Sequence, residues 1–426
     1  MPTTIPYTTV ATRLSSLLET VLQTPMPVRI RAWDGSTAGP ADAPTLIIRH
    51  KRAMRRFLWQ PNELGLARAY VAGEVDLEGD LYDALNRLAP LVWRSPDVRD
   101  LPFHTVAADL LRLGVLGTQP KPPPEEMHVS GVRHSKRRDR QAVSQHYDVG
   151  NDFYRIVLGE SMVYSCAYWT SEAPGYGLAD AQRDKLDLIC RKLDLKPGMR
   201  LLDVGCGWGG MVRHAAREYG VRALGVTLSE QQALWAQEAI KRDGLDHLAE
   251  VRFLDYREVP ETDFDAVSSI GLTEHIGVRN YPAYFASLRD KLRPEGRLLN
   301  HCITRPHNRP QDTGEFLDRY VFPDGELTGS GRIITEAQNV GLEVMHEENF
   351  RLHYARTLAG WCQNLRDNWD ACVDEVGEGT ARVWGLYMAG SRLAFERNEI
   401  QLHQILATKT SREGVSQYPL RPDWTA

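Results

Sequence analysis

The 426-residue sequence predicts an α/β protein whose larger domain is built on a doubly wound sheet. Three observations support this prediction. Short apolar runs alternate with helix-like segments between residues 200 and 304, a glycine-rich turn follows the first of these runs, and a proline-rich stretch separates the region from an unlike N-terminal part. Alternating strands and helices of this kind build a parallel sheet with helices on both faces.

The N-terminal part predicts a smaller α+β domain over residues 1–116. It combines a strand-like run, Thr45–Ile48, with helical patterns such as Leu81–Ala89. Pro90 is expected to end that helix, because proline lacks a backbone donor. The prolines of GTQPKPPPEEMH begin a linker, predicted over 117–140. The length of the chain agrees with two domains, since one domain takes about 100–200 residues.

The second predicted domain, 141–426, carries the alternating elements. Strands are predicted at 200–204, 222–226, 250–254, 264–270 and 296–304, and helices at 209–219, 229–243 and 280–293. From Arg356 to about Lys409 we expect two C-terminal helices packed on this domain, with a break at Gly377–Gly379.

Composition limits the class of protein. With 42% apolar and 25% charged residues the chain is typical of soluble globular proteins, and a net charge of −5 argues against nucleic acid as a partner. No apolar run approaches the ~20 residues that span a bilayer, and the N-terminus does not resemble a signal peptide. Six scattered cysteines suggest neither disulfides nor a metal site. We therefore expect a cytoplasmic protein.

The glycine-rich turn LLDVGCGWGG predicts a ligand site at the carboxyl end of the first strand of the second domain. It contains Asp203, Gly205, Gly207 and Gly209, and glycines allow the backbone to turn sharply and approach a ligand. The D-x-G-x-G-x-G order resembles motif I of class I methyltransferases, which implies S-adenosylmethionine as the cofactor. A dinucleotide is the alternative, because the turn also satisfies G-x-G-x-x-G.

Further candidate cofactor residues follow the next strands and precede the domain. They are Tyr164, Ser165, Thr227, Leu228, Gln232, Asp255, Tyr256 and Arg257. Many methyltransferases place an acidic residue after the second strand, whereas here Thr227 and Ser229 occupy that region, so Gln232 is expected to contact the ribose. Ser229 also suits a helix N-cap, and Gln232 and Tyr256 could instead have surface or packing roles.

Several motifs occur in a fixed order: HYDVGNDFY and YSCAYW (within 145–169), LDVGCGWGG, EHIG and YVFP. Over residues 140–407 the sequence therefore resembles the cyclopropane-fatty-acid synthase family, which includes the mycolic acid cyclopropane synthases. The segment GLARAYVAGEV (65–75) is similar, more weakly, to the additional N-terminal domain of synthases that act on phospholipids.

The resemblance implies methyl or methylene transfer to the cis double bond of an unsaturated fatty-acyl chain. Methyl transfer leaves a carbocation, which family members deprotonate with a bound bicarbonate ion. Here that ion would be held by Cys166, Glu274, His301, Ile303 and Tyr354. Considered singly, Cys166 and His301 could be core residues, and Glu274 could cap a helix or form a salt bridge. Thr273 departs from the large apolar residue that is common in the family.

The implied partners are acyl chains of membrane phospholipids, with peripheral contact at the inner membrane face. Two basic clusters could contact anionic lipid or simply be solvated: Arg49, Lys51, Arg52, Arg55 and Arg56, and Arg133, Lys136, Arg137, Arg138 and Arg140. A homodimer is a further expectation. Three alternatives stay open: a methylene- or methyl-branched product, a noncatalytic protein that binds cofactor or lipid, and a small-molecule O- or N-methyltransferase.

Overall fold

The computed structural model describes residues 9–92, 103–127, 131, 133, 134, 138 and 150–424. The chain divides into two compact units, of which the first comprises Met1–Met127 and Gly377–Leu393 and the second comprises His128–Val376 and Ala394–Ala426. Residues 117–127, expected to be linker, belong to the first unit. There Lys121 accepts a hydrogen bond from Arg56 through its backbone carbonyl (2.7 Å).

The first unit contains a small mixed sheet covered by helices, which confirms the expected α+β architecture. Its described helices are α1 (Val10–Leu22), α2 (Lys51–Trp59), α3 (Glu63–Val71), α4 (Leu81–Val92) and α5 (Phe103–Leu113). Its strands are β1 (Arg29–Arg31), β2 (Thr37–Ala38), β3 (Thr45–Ile48) and β4 (Val75–Glu78), in the order β2-β1-β3-β4. Apolar side chains of α1, β1 and α2 form its core, including Leu14, Ile30 and Met54.

Pro90 does not end its helix as predicted, because α4 continues to Val92. A proline costs the helix only its own N–H bond and a clash with the preceding turn, and here it lies two residues from the end, where few further bonds depend on it.

The second unit is built on a seven-stranded sheet. Its strands are β5 (Arg200–Val204), β6 (Arg222–Thr227), β7 (Ala249–Phe253), β8 (Phe264–Ile270), β9 (Leu292–Thr304), β12 (Glu343–Asn349) and β13 (Gln401–Thr408), and a separate pair is β10 (Gln311–Asp312) and β11 (Glu326–Leu327). The order is β12-β13-β9-β8-β5-β6-β7. The five strands β5 to β9 run parallel to one another, so their carboxyl ends lie at one edge.

Helices cover both faces of this sheet. The described helices are α6 (Asn151–Leu158), α7 (Leu178–Lys192), α8 (Gly210–Tyr219), α9 (Glu230–Arg242), α10 (Tyr281–Lys291), α11 (Glu315–Tyr320), α12 (Ser330–Asn339), α13 (Arg351–Asp367), α14 (Trp369–Val376) and α15 (Glu378–Glu396), the last of which begins in the first unit. Ile189, Val212 and Ala236 pack in one core, and Phe285 and Ile333 pack in the other. Within the described residues, no helix has the length and apolar character to cross a bilayer.

The C-terminal region differs from the prediction in two respects. Three helices, α13, α14 and α15, cover residues 351–396 where two were expected. The break at Gly377 is present, but Gln401–Thr408 forms strand β13 instead of helix and runs antiparallel to both β9 and β12. The sheet is therefore mixed rather than wholly parallel. Leu, Gln and Ala in this segment are good helix formers, but intrinsic propensity is a small term that tertiary context overrides, so pairing with strands about 50–100 residues away decides the outcome.

Candidate active site

The glycine turn (residues 205–210) joins β5 to α8. Gly205, Gly207 and Gly209 have φ angles of 73°, 54° and 75°, in the left-handed region that favours glycine. A Cβ at Gly209 would lie 3.1 Å from the side chain of Ala236, so this glycine also permits close packing. Near Gly207, only the Gln232 amide nitrogen comes within 4.0 Å of such a Cβ in the described structure. Gly207 therefore has room for a ligand beside it.

The polar residues beside this turn are buried and hydrogen-bonded to one another. Ser268 donates to the Asp203 carboxylate (2.6 Å), and Thr227 donates to the Gln232 side chain (2.7 Å). The Ser229 hydroxyl accepts a hydrogen bond from the backbone N–H of Gln232 (3.2 Å), which confirms its role as the N-cap of α9. Burial raises the pKa of Asp203 to about 7. The side-chain amide nitrogen of Gln232 faces Gly207.

Residues after β7 lie at the same edge of the sheet. Asp255 is 2% exposed, and its carboxylate accepts hydrogen bonds from the Arg257 backbone (3.0 Å) and guanidinium (2.8 Å). Tyr256 packs edge-on against Tyr284, with ring centroids 5.5 Å apart. Leu228 is partly buried between β6 and α9. Arg257 thus fixes Asp255 at the carboxyl end of β7, two strands from the glycine turn.

The segment Tyr164–Cys166 is fixed by helix α7. Gln182 donates to the backbone carbonyls of Val163 (3.3 Å) and Ser165 (2.8 Å), and Lys185 donates to the Ser165 hydroxyl (2.9 Å). Neither residue of α7 was predicted from the sequence. Two polar side chains three residues apart on an otherwise apolar helix face were the signal that could have identified them.

Phe350 links three candidate residues that are distant in sequence. The Cys166 thiol lies 3.8 Å from its carbonyl, and Tyr354 donates to the same carbonyl through its backbone (3.0 Å). The His301 ring centroid lies 6.1 Å from the Phe350 ring centroid. Phe350 precedes α13 and is fully buried. It was not predicted from the sequence either, because its role follows from tertiary position and no local pattern indicates it.

Glu274 and Ile303 complete this group, which we call the His301 cluster (Cys166, Glu274, His301, Ile303 and Tyr354). The Gly271 amide donates to the carbonyl of His301 (2.8 Å), which holds the loop after β8 against β9. Burial raises the pKa of Glu274 to about 7, although hydrogen bonds from the backbone amides of Glu274 and Ile303 oppose this shift. The next residue of the loop, Leu272, packs against Gly205. The cluster therefore borders the glycine turn.

The proton position on His301 follows from its neighbours. Lys192 donates to the Gln404 oxygen (2.7 Å), so the Gln404 amide nitrogen faces His301 Nδ1 (3.2 Å) and donates to it. Burial lowers the pKa of His301, as do the nearby charges of Lys185 and Lys192. The ring is thus neutral with its proton on Nε2. This nitrogen and Glu274 Oε2 are buried without a hydrogen-bond partner among the described residues.

The sheet order, the glycine turn and the residues around it define a class I S-adenosylmethionine-dependent methyltransferase. The mycolic acid cyclopropane synthetase family matches residues 134–405, so the chain belongs to this family.

Individual relatives extend the match beyond the second unit. A probable fatty acid methyltransferase of Mycobacterium tuberculosis is 55% identical over 93% of this chain and 95% of its own length. The cyclopropane-fatty-acyl-phospholipid synthase of Escherichia coli K12 is 32% identical over 89% and 90%, respectively. The solved mycolic acid cyclopropane synthase CmaA1, complexed with SAH and CTAB, is 31% identical with a TM-score of 0.59, covering 63% of this chain and 98% of its own.

Proposed function

We propose that this enzyme transfers a methyl or methylene group from S-adenosylmethionine to the cis double bond of unsaturated fatty-acyl chains in membrane phospholipids. The observation that carries the proposal is the pair of buried, unpartnered polar atoms, His301 Nε2 and Glu274 Oε2, which lie next to the glycine turn in the described part of the chain. Buried polar atoms without partners are uncommon in native proteins, and at a functional site they suit a bound polar group.

The residues around the turn fit the proposed cofactor. Open space beside Gly207, the amide of Gln232 and the face of Tyr256 suit a nucleoside ligand at the carboxyl edge of the sheet. When bound, S-adenosylmethionine would supply an electrophilic methyl group. An isolated alkene is a weak nucleophile, so the enzyme must hold it against that methyl group and keep water away.

The His301 cluster fits a bicarbonate ion that would accept the proton lost from the substrate carbocation. His301 Nε2–H can donate to the anion, and the Glu274 carboxylate can accept its hydrogen. The thiol of Cys166 stays protonated, because burial raises its pKa, so it serves as a packed neighbour and not as a nucleophile. Tyr354 is 6% exposed, and its backbone amide donates to the Phe350 carbonyl, which the Cys166 thiol also contacts.

Product analysis tests this function. Incubation with methyl-labelled S-adenosylmethionine and a phospholipid bearing a monounsaturated chain should add the mass of one CH2 to the acyl chain. Fragmentation should then show a three-membered ring at the former double bond. Cofactor binding without any labelled lipid would instead support a noncatalytic protein, and label on oxygen or nitrogen would support a small-molecule methyltransferase.

A methylene- or methyl-branched fatty acid is the second candidate product. The same carbocation gives this product if it loses a proton from a neighbouring chain carbon instead of the added methyl group. The 55% identical relative is named a methyltransferase and not a cyclopropane synthase, which favours this outcome. Thr273 also places a hydroxyl beside Glu274, where it donates to Asn300 (2.6 Å). The fragmentation pattern distinguishes the two products.

The first unit carries a surface that suits a peripheral, cytoplasmic association with phospholipid. Trp59 is 55% exposed and Leu116 is 50% exposed. They are neighbours, because the Trp59 indole donates to the backbone of Gly117 (3.0 Å). The side chains of Arg52 and Arg55 lie on the same helix, α2. Exposed aromatic and aliphatic groups beside arginines are typical of interfacial membrane contact.

The two basic clusters of the sequence contribute less charge than their composition suggests. Arg56 is 8% exposed and pairs with Glu74 (2.8 Å), and Arg133 pairs with Asp312 (2.7 Å). Lys136, Arg137 and Arg140 lie outside the described residues. Arg52 also pairs with Glu74 (3.2 Å), although its side chain is 56% exposed. Any lipid contact of the first cluster therefore depends on Arg52, Arg55 and the apolar pair.

Vesicle sedimentation checks this surface. Combined Trp59→Ser and Leu116→Ser substitutions should weaken binding to anionic phosphatidylglycerol vesicles on the order of 10-fold, because two apolar side chains lose their burial. Leu234→Ser, at an equally exposed leucine of α9 (52%), is the control. Binding should also weaken as salt shortens the Debye length from about 10 Å at 0.1 M to about 3 Å at 1 M. Equal binding by all variants would contradict this placement.

A further inference from the structure

A row of three polar residues crosses the antiparallel part of the seven-stranded sheet. Glu348 on β12 lies opposite Gln404 on β13, and Gln404 lies opposite His301 on β9. Residues directly opposite each other on paired antiparallel strands share a face of the sheet, so the three side chains are neighbours. Gln404 and His301 are both buried. The position of the His301 proton therefore depends on which end of the Gln404 amide faces the ring.

Lys192, the last residue of α7, contacts two members of this row. Its ammonium group donates to Glu348 (2.5 Å) and to the side-chain oxygen of Gln404 (2.7 Å). An ammonium group has no acceptor, so this contact keeps the Gln404 amide nitrogen directed at His301 Nδ1. Burial lowers the pKa of Lys192, whereas the hydrogen bond and the charge of Glu348 oppose this shift and favour the charged form.

Two aromatic rings lie beside the same ammonium group. The Lys192 nitrogen is 5.3 Å from the ring centroid of Phe350 and 5.4 Å from that of Trp424. A ring face attracts a cation, and the attraction increases where water is excluded. Trp424 is only partly buried, whereas Lys192 is fully buried. Trp424 thus forms part of the cover that keeps water from Lys192, and we call residues 411–424 the Trp424 segment.

Two arginines hold the Trp424 segment against the end of α7. Arg191 donates to the backbone carbonyl of Trp424 (2.6 Å). Arg297 is buried and donates to the backbone carbonyls of Lys192 (3.1 Å) and Gln417 (3.1 Å). The same side chains that fix the segment therefore also fix the residue that Trp424 covers.

We propose that Trp424 is a positioning residue that fixes the tautomer of His301 through Lys192 and Gln404. This inference rests on the proposed function, under which His301 Nε2–H donates to an anionic base. Without the indole ring, water can bond to Lys192 in place of Gln404, and the Gln404 amide can then flip. Its oxygen would face Nδ1, which favours a proton on Nδ1 and leaves a lone pair on Nε2. That lone pair cannot donate to an anion.

Nitrogen NMR of the full chain with isotope-labelled histidine tests this role without any substrate, and His301→Asn assigns the signal. Wild type should show an unprotonated Nδ1 at His301. In Trp424→Ala the population with a protonated Nδ1 should rise by about tenfold, which corresponds to about 1.4 kcal/mol. Trp424→Phe, which keeps a ring over Lys192, should match wild type. Trp235→Ala on α9 should also match, because it removes a tryptophan that lies 5.7 and 5.9 Å from two arginines elsewhere.

A protonated Nδ1 in wild type, or the wild-type tautomer in Trp424→Ala, would overturn the proposal. If Trp424→Ala does not fold, Gln404→Glu gives the same test. Its carboxylate can only accept, so it should place the proton on His301 Nδ1 while still bonding to Lys192. The wild-type tautomer in a folded Gln404→Glu protein would equally overturn the proposal.

Steady-state kinetics tests the consequence for the reaction. The bicarbonate concentration for half-maximal turnover should rise about tenfold in Trp424→Ala, while affinity for S-adenosylhomocysteine changes less than about threefold. A changed tautomer with wild-type bicarbonate dependence would remove Trp424 from the reaction. If wild type transfers no methyl group to unsaturated phospholipid, the proposed function fails, whereas the NMR measurement still decides whether Trp424 fixes the tautomer.

Discussion

The two halves of the candidate site differ in how their polar groups are satisfied. Beside the glycine turn, Thr227 bonds Gln232 and Ser268 bonds Asp203, so these side chains hold one another in place. In the His301 cluster, His301 Nε2 and Glu274 Oε2 are equally buried and have no partner among the described residues. The first half has a fixed shape that a ligand can fit, whereas the second presents a donor and an acceptor that no described residue uses.

This difference predicts separate roles for the two halves, cofactor binding at the glycine turn and catalysis at the His301 cluster. Substitutions at the glycine turn should change cofactor binding, because they alter the space that a ligand needs. Substitutions in the His301 cluster should change turnover, because the unsatisfied atoms would act on the reacting species.

The largest effect is expected for Gly207→Val. A branched side chain would occupy the space beside the turn and strain a φ of 54°, so affinity for S-adenosylhomocysteine should fall by on the order of 100-fold or more in calorimetry. Gly244→Val is the control, since Gly244 also has a positive φ (68°), has nothing within 4 Å of an added Cβ among the described residues, and lies after α9. Unchanged affinity in a folded Gly207→Val protein would show that the ligand lies elsewhere.

Glu274→Gln and Tyr354→Phe should have the opposite effect to Gly207→Val, because they should lower turnover and leave cofactor affinity nearly unchanged. We expect kcat on unsaturated phospholipid to fall by about 10²–10⁴-fold, the range for loss of a positioned base, while cofactor affinity changes less than about threefold. Glu336→Gln is the matched control, because Glu336 is also buried but pairs with Arg332 (2.7 Å) on α12. Wild-type kcat in both cluster variants would remove these residues from the mechanism.

Local patterns predicted most of the sheet and the glycine turn. Strands such as Arg200–Val204 are short apolar runs next to strong turn signals, and Ser229 caps a helix within its own segment. Gln401–Thr408 was predicted wrongly because its strand partners lie far along the chain. Strand Glu343–Asn349 was not predicted at all, since its acidic and partly exposed residues lack an apolar pattern.

The site was predictable only in part, because many of its residues also have partners that lie far along the chain. The glycine turn is a contiguous motif, whereas the His301 cluster was named through family resemblance and its grouping depends on the fold. Phe350 carries no local signature, whereas the polar pair Gln182 and Lys185 on an apolar helix face was a signal that the sequence prediction did not use. Their roles become visible only through contacts with Cys166, Ser165 and Tyr354.

The smallest effect concerns stability. Burial raises the pKa of Glu274 from 4.5 to about 7, so the folded protein binds this proton more tightly than the unfolded chain does. Its stabilising contribution is complete below pH ~4.5 and is lost as the pH rises through ~7. Between pH 5 and 8, the free energy of unfolding should therefore decline less in Glu274→Gln than in wild type, by on the order of 1–3 kcal/mol in urea titrations. If the free energy of unfolding depended on pH identically in wild type and Glu274→Gln, the raised pKa of Glu274 would be contradicted.

The dependence of turnover on bicarbonate tests the central claim most directly. The claim is that the buried polar atoms His301 Nε2 and Glu274 Oε2, unpartnered among the described residues, hold an anionic base next to the glycine turn. Removing bicarbonate from the assay should slow wild-type methyl transfer to unsaturated phospholipid without weakening S-adenosylhomocysteine binding, and added bicarbonate should restore the rate. Glu274→Gln should respond little to either change. A wild-type rate that stays the same with and without bicarbonate would contradict the claim.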